Sequence, residues 1–115
     1  LGHDSCGAVA AAIASARSGQ MPKGYVRDIV ERVTPSVFAV AQRGELTPES
    51  VEREHVRVTC ELLYERSMII QDAVDAGSLA IVGCEYRLVD GAAHLVHVIG
   101  DVGDEVEVSD GDSRI

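Results

Sequence analysis

Apolar positions keep a helical rhythm over the first three quarters of the chain and lose it near residue 79. Gly7 to Ser18 is alanine-rich, carries Val9 and Ile13 four apart, and is closed by Ser18-Gly19, which predicts a helix with Asp4 or Ser5 as its N-cap. Val26, Ile29, Val30 and Val33 fall at i, i+3, i+4 and i+7, the spacing of an amphipathic helix over Tyr25 to Val33. Thr34-Pro35-Ser36 is expected to interrupt it, because proline lacks the backbone donor that a helix interior uses; Val37 to Gln42 then forms a shorter helical piece. Thr47-Pro48-Glu49 is a start signal, with a hydroxyl to cap, a proline in the first turn and an anion at the positive end of the dipole. Val51, His55, Val58 and Leu62 mark the expected inner face of the long helix that follows, and Glu52-Arg53-Glu54 reads as solvated. A further helix over Met68 to Ala76 stops at Gly77.

After residue 79 the period changes. Leu79-Ala80-Ile81-Val82-Gly83-Cys84, within a strand running to Leu88, is a continuous small and apolar run, as in a strand covered on both faces. Asp90-Gly91 is a turn signal, and Ala93 to Ile99 reads as an antiparallel edge strand whose His94 and His97 should face opposite sides. Leu1-Gly2 reads as the end of a strand that feeds the first helix. The fold class is therefore α/β: a sheet with a parallel core, flanking helices and an antiparallel edge strand. So few strands do not make a stable sheet alone, so others are expected upstream, and the chain, which opens without Met, is read as lacking its beginning. Residues 1–100 form the domain portion; 101–115, with six acidic residues against Arg114, form an acidic, flexible tail.

Charge and cysteine usage narrow the function classes. A net charge of −9 and a pI near 4.7 argue against duplex nucleic acid as a partner and against the anionic face of a membrane. The longest apolar stretch, Ala8 to Ala14, is too short to span a bilayer. No secretory signal is visible, and Cys6, Cys60 and Cys84 are odd in number and far apart, so a reducing cytoplasm is the expected setting. Cys60 and Cys84, in helical and strand-core settings, read as buried thiols.

Gly2-His3-Asp4-Ser5-Cys6-Gly7 carries the chemistry. It places an imidazole and a thiol three residues apart at a helix start, both donors that zinc accepts, and one loop can supply two corners of a tetrahedron. Negative charge is favoured at that end of a helix, which suits a metal-binding sulfur. Gly2 and Gly7 let the backbone bend sharply; two flanking glycines, at about 7% usage each, make a chance match roughly 200-fold rarer. The plain alternative is a small packed cysteine and a hydrogen-bonded histidine. His55, on the apolar stripe of its helix, reads as a packed histidine, and Tyr86 as a core aromatic near a strand end.

The stretch Leu1-Gly2-His3-Asp4-Ser5-Cys6-Gly7-Ala8-Val9 resembles the second zinc-binding motif of the β-class carbonic anhydrases. Gly77-Ser78-Leu79-Ala80-Ile81-Val82-Gly83-Cys84-Glu85-Tyr86 is similar to that family's buried strand, and Asp90-Gly91 to its following hairpin. The resemblance covers nearly the whole chain, weakest over Pro35 to Glu49 and absent from the acidic tail, and implies the C-terminal portion of that fold. It implies reversible hydration of carbon dioxide to bicarbonate at a Zn2+ site, with His3 and Cys6 as metal ligands and Gly7 and Tyr86 as candidates for anion binding. The family's third ligand and its Asp-Arg pair come from a Cys-x-Asp-x-Arg motif, which this sequence lacks. Asp110-Gly111-Asp112-Ser113-Arg114 matches it only superficially, with Asp where Cys is required. No catalytic residue is therefore expected in this chain, and the 115 residues alone are expected to be inactive. The resemblance also implies a homo-oligomer. The alternative reading is a non-catalytic carbonic-anhydrase-like module that senses bicarbonate or is fused to a transporter; a third is a small interaction domain in which His3 and Cys6 merely pack.

Overall fold

The computed structural model describes residues 1–103. Among them the order is β1 (Gly2–His3), α1 (Gly7–Ser18), α2 (Tyr25–Gln42), α3 (Pro48–Arg66), α4 (Met68–Asp75), β2 (Ile81–Arg87) and β3 (Ala92–Ile99). The strands form one sheet in the order β1-β2-β3, with β1 parallel and β3 antiparallel to the central β2. The α/β class and the mixed sheet agree with the sequence reading. Nearly all of the expected acidic tail, from residue 104 onward, lies outside the described residues.

Local signals explain most helix ends. Gly19 closes α1 in the left-handed conformation, its N–H donating to the Ser15 carbonyl. Thr47 Oγ1 accepts from the Ser50 N–H at 3.1 Å and caps α3, with Pro48 opening the first turn. The break expected at Thr34-Pro35-Ser36 does not occur: α2 runs unbroken through Pro35. An interior proline costs about 3 kcal/mol. Val30, Val33, Val37 and Val40, all on one side and all buried, offset it by packing on α1. Glu31, whose carbonyl loses its helical donor, lies at the exposed surface, where water can replace it.

α3 is the central element, packed on two sides. Val51 joins the helical core of Val9, Ala12, Ile13 and the α2 valines. Glu52, Val56 and Cys60, spaced by four, form a second buried stripe facing the sheet. The inner face therefore differs from the expected one: His55, Val58 and Leu62 are only half-buried, whereas Glu52 and Glu54 are 5% and 7% exposed. Two glycines let the helix come this close. A Cβ on Gly2 would lie 2.7 Å from Val56 Cγ2, and one on Gly83 would lie 2.7 Å from Cys60 Sγ and 2.8 Å from Val56 Cγ1.

β2 is not covered on both faces among the described residues. Ile81, Gly83 and Glu85 are buried toward α3, while the alternating Val82 and Tyr86 are exposed. β3 also departs from simple alternation. His94 pairs with Glu85, and His97 with Gly83, across an irregularity between Gly83 and Cys84. Because Glu85 and Gly83 are two apart on β2, this bulge places both histidines on the same sheet face, not on opposite ones. They still do not converge: His94 Nε2 lies 3.1 Å from Asp90 Oδ2, and His97 Nε2 lies 3.0 Å from Glu61 Oε1 on α3.

Candidate metal centre

His3 and Cys6 sit where β1 passes into α1, at the carboxyl end of a strand that runs parallel to β2. The connecting loop is pinned to the end of β2 twice. The Asp4 N–H donates to the Tyr86 carbonyl at 3.1 Å, and the Asp4 carboxylate accepts the Leu88 N–H at 3.1 Å. Asp4 is therefore committed to the sheet. The N-cap of α1 is Cys6, whose side chain makes no capping bond, and not Asp4 or Ser5 as expected. The sharp bend also falls elsewhere than at the glycines. Ser5 takes it, at φ 53°, a left-handed conformation unusual for a residue with a side chain. Gly2 is required by the approach of Val56, and a side chain at Gly7 would meet nothing within 4 Å.

The geometry suits His3 as a donor. Its Nδ1 lies 2.8 Å from the Asp4 carbonyl, so Nδ1 carries the proton in that contact and Nε2 keeps the lone pair. Fixing the tautomer through the second ring nitrogen is the usual arrangement for a metal-binding imidazole. His3 is exposed and Cys6 half-buried, and both line a cavity of about 400 Å³. Its walls are largely apolar, with Val9, Ile29, Val33 and Val56 among them. Two donors are fewer than the three or four that zinc sites take from protein. Among the described residues, no group of three or more His, Cys, Asp and Glu side chains is arranged to hold a metal. His3 and Cys6 thus fit the metal as part of a ligand set, not as the whole of it.

Cys60 is a buried thiol as expected, whereas Cys84 is only half-buried; desolvation pushes both above the ordinary thiol range, which disfavours the thiolate that a metal requires. His55 is half-buried, its Nδ1 3.2 Å from Ser36 Oγ, and desolvation lowers its pKa. Tyr86 is no core aromatic: it is 37% exposed, stands beside His3 in the β1–β2 register, and its hydroxyl lies against the Asp90-Gly91 turn. Gly7 lines a second cavity, of about 540 Å³, together with Cys6 and Asp4.

The sequence reading missed a buried acidic pair. Glu52 of α3 and Glu85 of β2 are 5% and 4% exposed, and both line that second cavity. Among the described residues Glu52 Oε1 and Glu85 Oε2 have no hydrogen-bond partner. Desolvation, then the charge of Glu85, raise the Glu52 pKa to about 7. The available signal was the spacing of Glu52 with Val56 and Cys60, three residues of one helical stripe, two of them apolar.

Comparison with known proteins places the chain. The carbonic anhydrase family model matches residues 1–93. Carbonic anhydrase 2 of Mycobacterium tuberculosis, in two strains, is 50% identical over 106 residues, which are 92% of this chain and 51% of that protein. A carbonic anhydrase of Mycolicibacterium smegmatis is 45% identical over 104 residues, 90% of this chain and 50% of that protein. The chain therefore spans about half the length of these relatives. With the His3-Cys6 loop, the parallel β1–β2 pair and a family match over most of its length, the chain belongs to the β-class carbonic anhydrase family.

Proposed function

We propose that this chain is part of a zinc-dependent enzyme that hydrates carbon dioxide reversibly to bicarbonate, and that His3 and Cys6 are two of its metal ligands. The carrying observation is the loop itself: His3 Nδ1 is tied to the Asp4 carbonyl, while His3 and Cys6 border one cavity on a loop anchored to β2. The names of the relatives support the reaction class. When bound, zinc supplies the Lewis acidity for the hydration. The protein's part is positional. The Asp4 carbonyl orients His3 so that Nε2 is its free donor, the α1 N-terminus offers partial positive charge to the Cys6 sulfur, and apolar walls suit an uncharged, apolar substrate. The rest of the ligand set, and the carboxylate–arginine pair that the family uses, would come from protein outside these 115 residues. A homo-oligomer in a reducing cytoplasm fits this reading, with all three cysteines free.

Zinc content and carbon dioxide hydration measured on the intact protein test the proposal. One zinc per subunit, with zinc affinity lowered more than about 100-fold in His3→Ala and in Cys6→Ser, and hydration lost with it, is the expected result; loss of a ligand should exceed the effect of losing an outer-shell partner. Stoichiometric zinc retained in both variants would overturn the ligand assignment. The isolated 115-residue chain should show no hydration above background.

A further inference from the structure

Away from the His3-Cys6 loop, the C-terminal end of α2 and the first turns of α3 enclose a cleft of about 250 Å³ against Val96 of β3. Its polar lining is Arg43, Glu45, Ser50, Arg53, Glu54 and Arg57, three cations against two anions in a chain of net charge −9. A hydrogen-bond account of these groups leaves donors over. Arg57 spends its Nε and one terminal nitrogen on the buried Glu54 carboxylate, at 3.1 and 2.8 Å, and its other terminal nitrogen lies 4.0 Å from Glu61 Oε1 on the same helix, an ion pair too long to be a hydrogen bond. Arg43 leans on the same carboxylate at 3.6 Å and on Glu45 at 3.7 Å. Glu54 is held ionised by this contact with Arg57, its pKa pushed below the usual range. It is the fixed counter-ion of those two guanidinium groups. Arg53 has no such partner: it is half-buried and makes no ion pair or hydrogen bond among the described residues. Ser50 Oγ accepts from Thr47 Oγ1 at 2.9 Å, which leaves the Ser50 hydroxyl proton free to donate.

We infer that this cleft binds a small oxyanion of the phosphate or bicarbonate class, held by the Arg53 guanidinium and the Ser50 hydroxyl, with the outer nitrogens of Arg43 and Arg57 beside it. Arg53 and Ser50 are donors without an acceptor, the one loosely held carboxylate, Glu45, is turned to solvent 3.7 Å from Arg43, and an arginine's planar fork matches two oxygens of such an anion. An oxyanion supplies several acceptors and one or two negative charges, which meets both the donor surplus and the positive excess. Glu54 keeps the neighbouring arginines fixed while the anion is absent, so little has to be ordered on binding.

Arg53 also lines the cavity beside Cys6, so the test separates the two places. Thermal unfolding of the intact, zinc-loaded protein is followed against sodium phosphate and against sodium bicarbonate, with sodium chloride of equal ionic strength as reference. Saturable stabilisation beyond chloride is expected for at least one of them. Its half-saturating concentration should rise about tenfold in both Arg53→Gln and Ser50→Ala, and stay unchanged in the parent protein stripped of zinc. The anion with the lower half-saturating concentration is the ligand. The inference fails if neither anion acts beyond chloride, if Ser50→Ala binds like the parent, or if binding disappears when zinc is removed, which would place the anion at the metal centre.

Discussion

Gly83→Ala is the most direct test of how α3 is seated. The new methyl group would lie 2.7 Å from Cys60 Sγ and 2.8 Å from Val56 Cγ1, whereas carbon atoms pack at about 3.5 to 4.0 Å. Relief needs a shift of roughly 1 Å. Neither neighbour can yield into solvent, since Val56 and Cys60 are 7% and 5% exposed. Val56 is also wedged against Gly2, where even a Cβ would come within 2.7 Å of its Cγ2. The helix must therefore move as a body away from the sheet, and overpacking of this kind costs about 1 to 3 kcal/mol. The upper part of that range, about 2 to 3 kcal/mol, is expected because two buried atoms are struck at once. Equilibrium urea unfolding of the intact protein, followed by circular dichroism, gives the value. A cycle with Cys60→Ala adds specificity: removing the sulfur should recover at least about 1 kcal/mol of the loss, as coupling between touching residues. A Gly83→Ala variant within about 0.5 kcal/mol of the parent would refute the reasoning, as would strict additivity with Cys60→Ala.

Two further outcomes follow from the same contacts. Glu52 is raised from 4.5 to about 7 in the folded protein, so the folded state keeps this proton longer than the unfolded one and stability falls as pH rises between those values; Glu52→Gln should match the parent at pH 4.5 and exceed it by up to about 3 kcal/mol above pH 7. A difference between the two urea midpoints that does not vary with pH would contradict this. Asp4→Ala should cost about 1 kcal/mol by freeing the Leu88 N–H, and Asp4→Asn, which keeps an accepting oxygen, should restore most of it; equal losses in both would show that the bond to Leu88 is not what holds the loop.

The elements legible in the sequence are those set by neighbours along the chain. Thr47-Pro48 opens α3 and Gly19 closes α1 because capping bonds join residues within a turn of each other. The His3-Cys6 spacing marks a candidate metal-binding loop for the same reason: both side chains belong to one short segment. Longer-range packing decided the rest. Pro35 breaks a helix by local rules, yet α2 continues because four buried valines pack on α1. Glu52 looks like part of a charged, solvated run; it is buried because α3 turns that stripe toward two sheet glycines whose missing side chains make room for it. His94 and His97 share a face through one bulge in the β2–β3 register, which simple alternation does not reveal. Which groups share a proton, a donor or a cavity depends on distances across elements, and those are fixed only when the helices settle on the sheet.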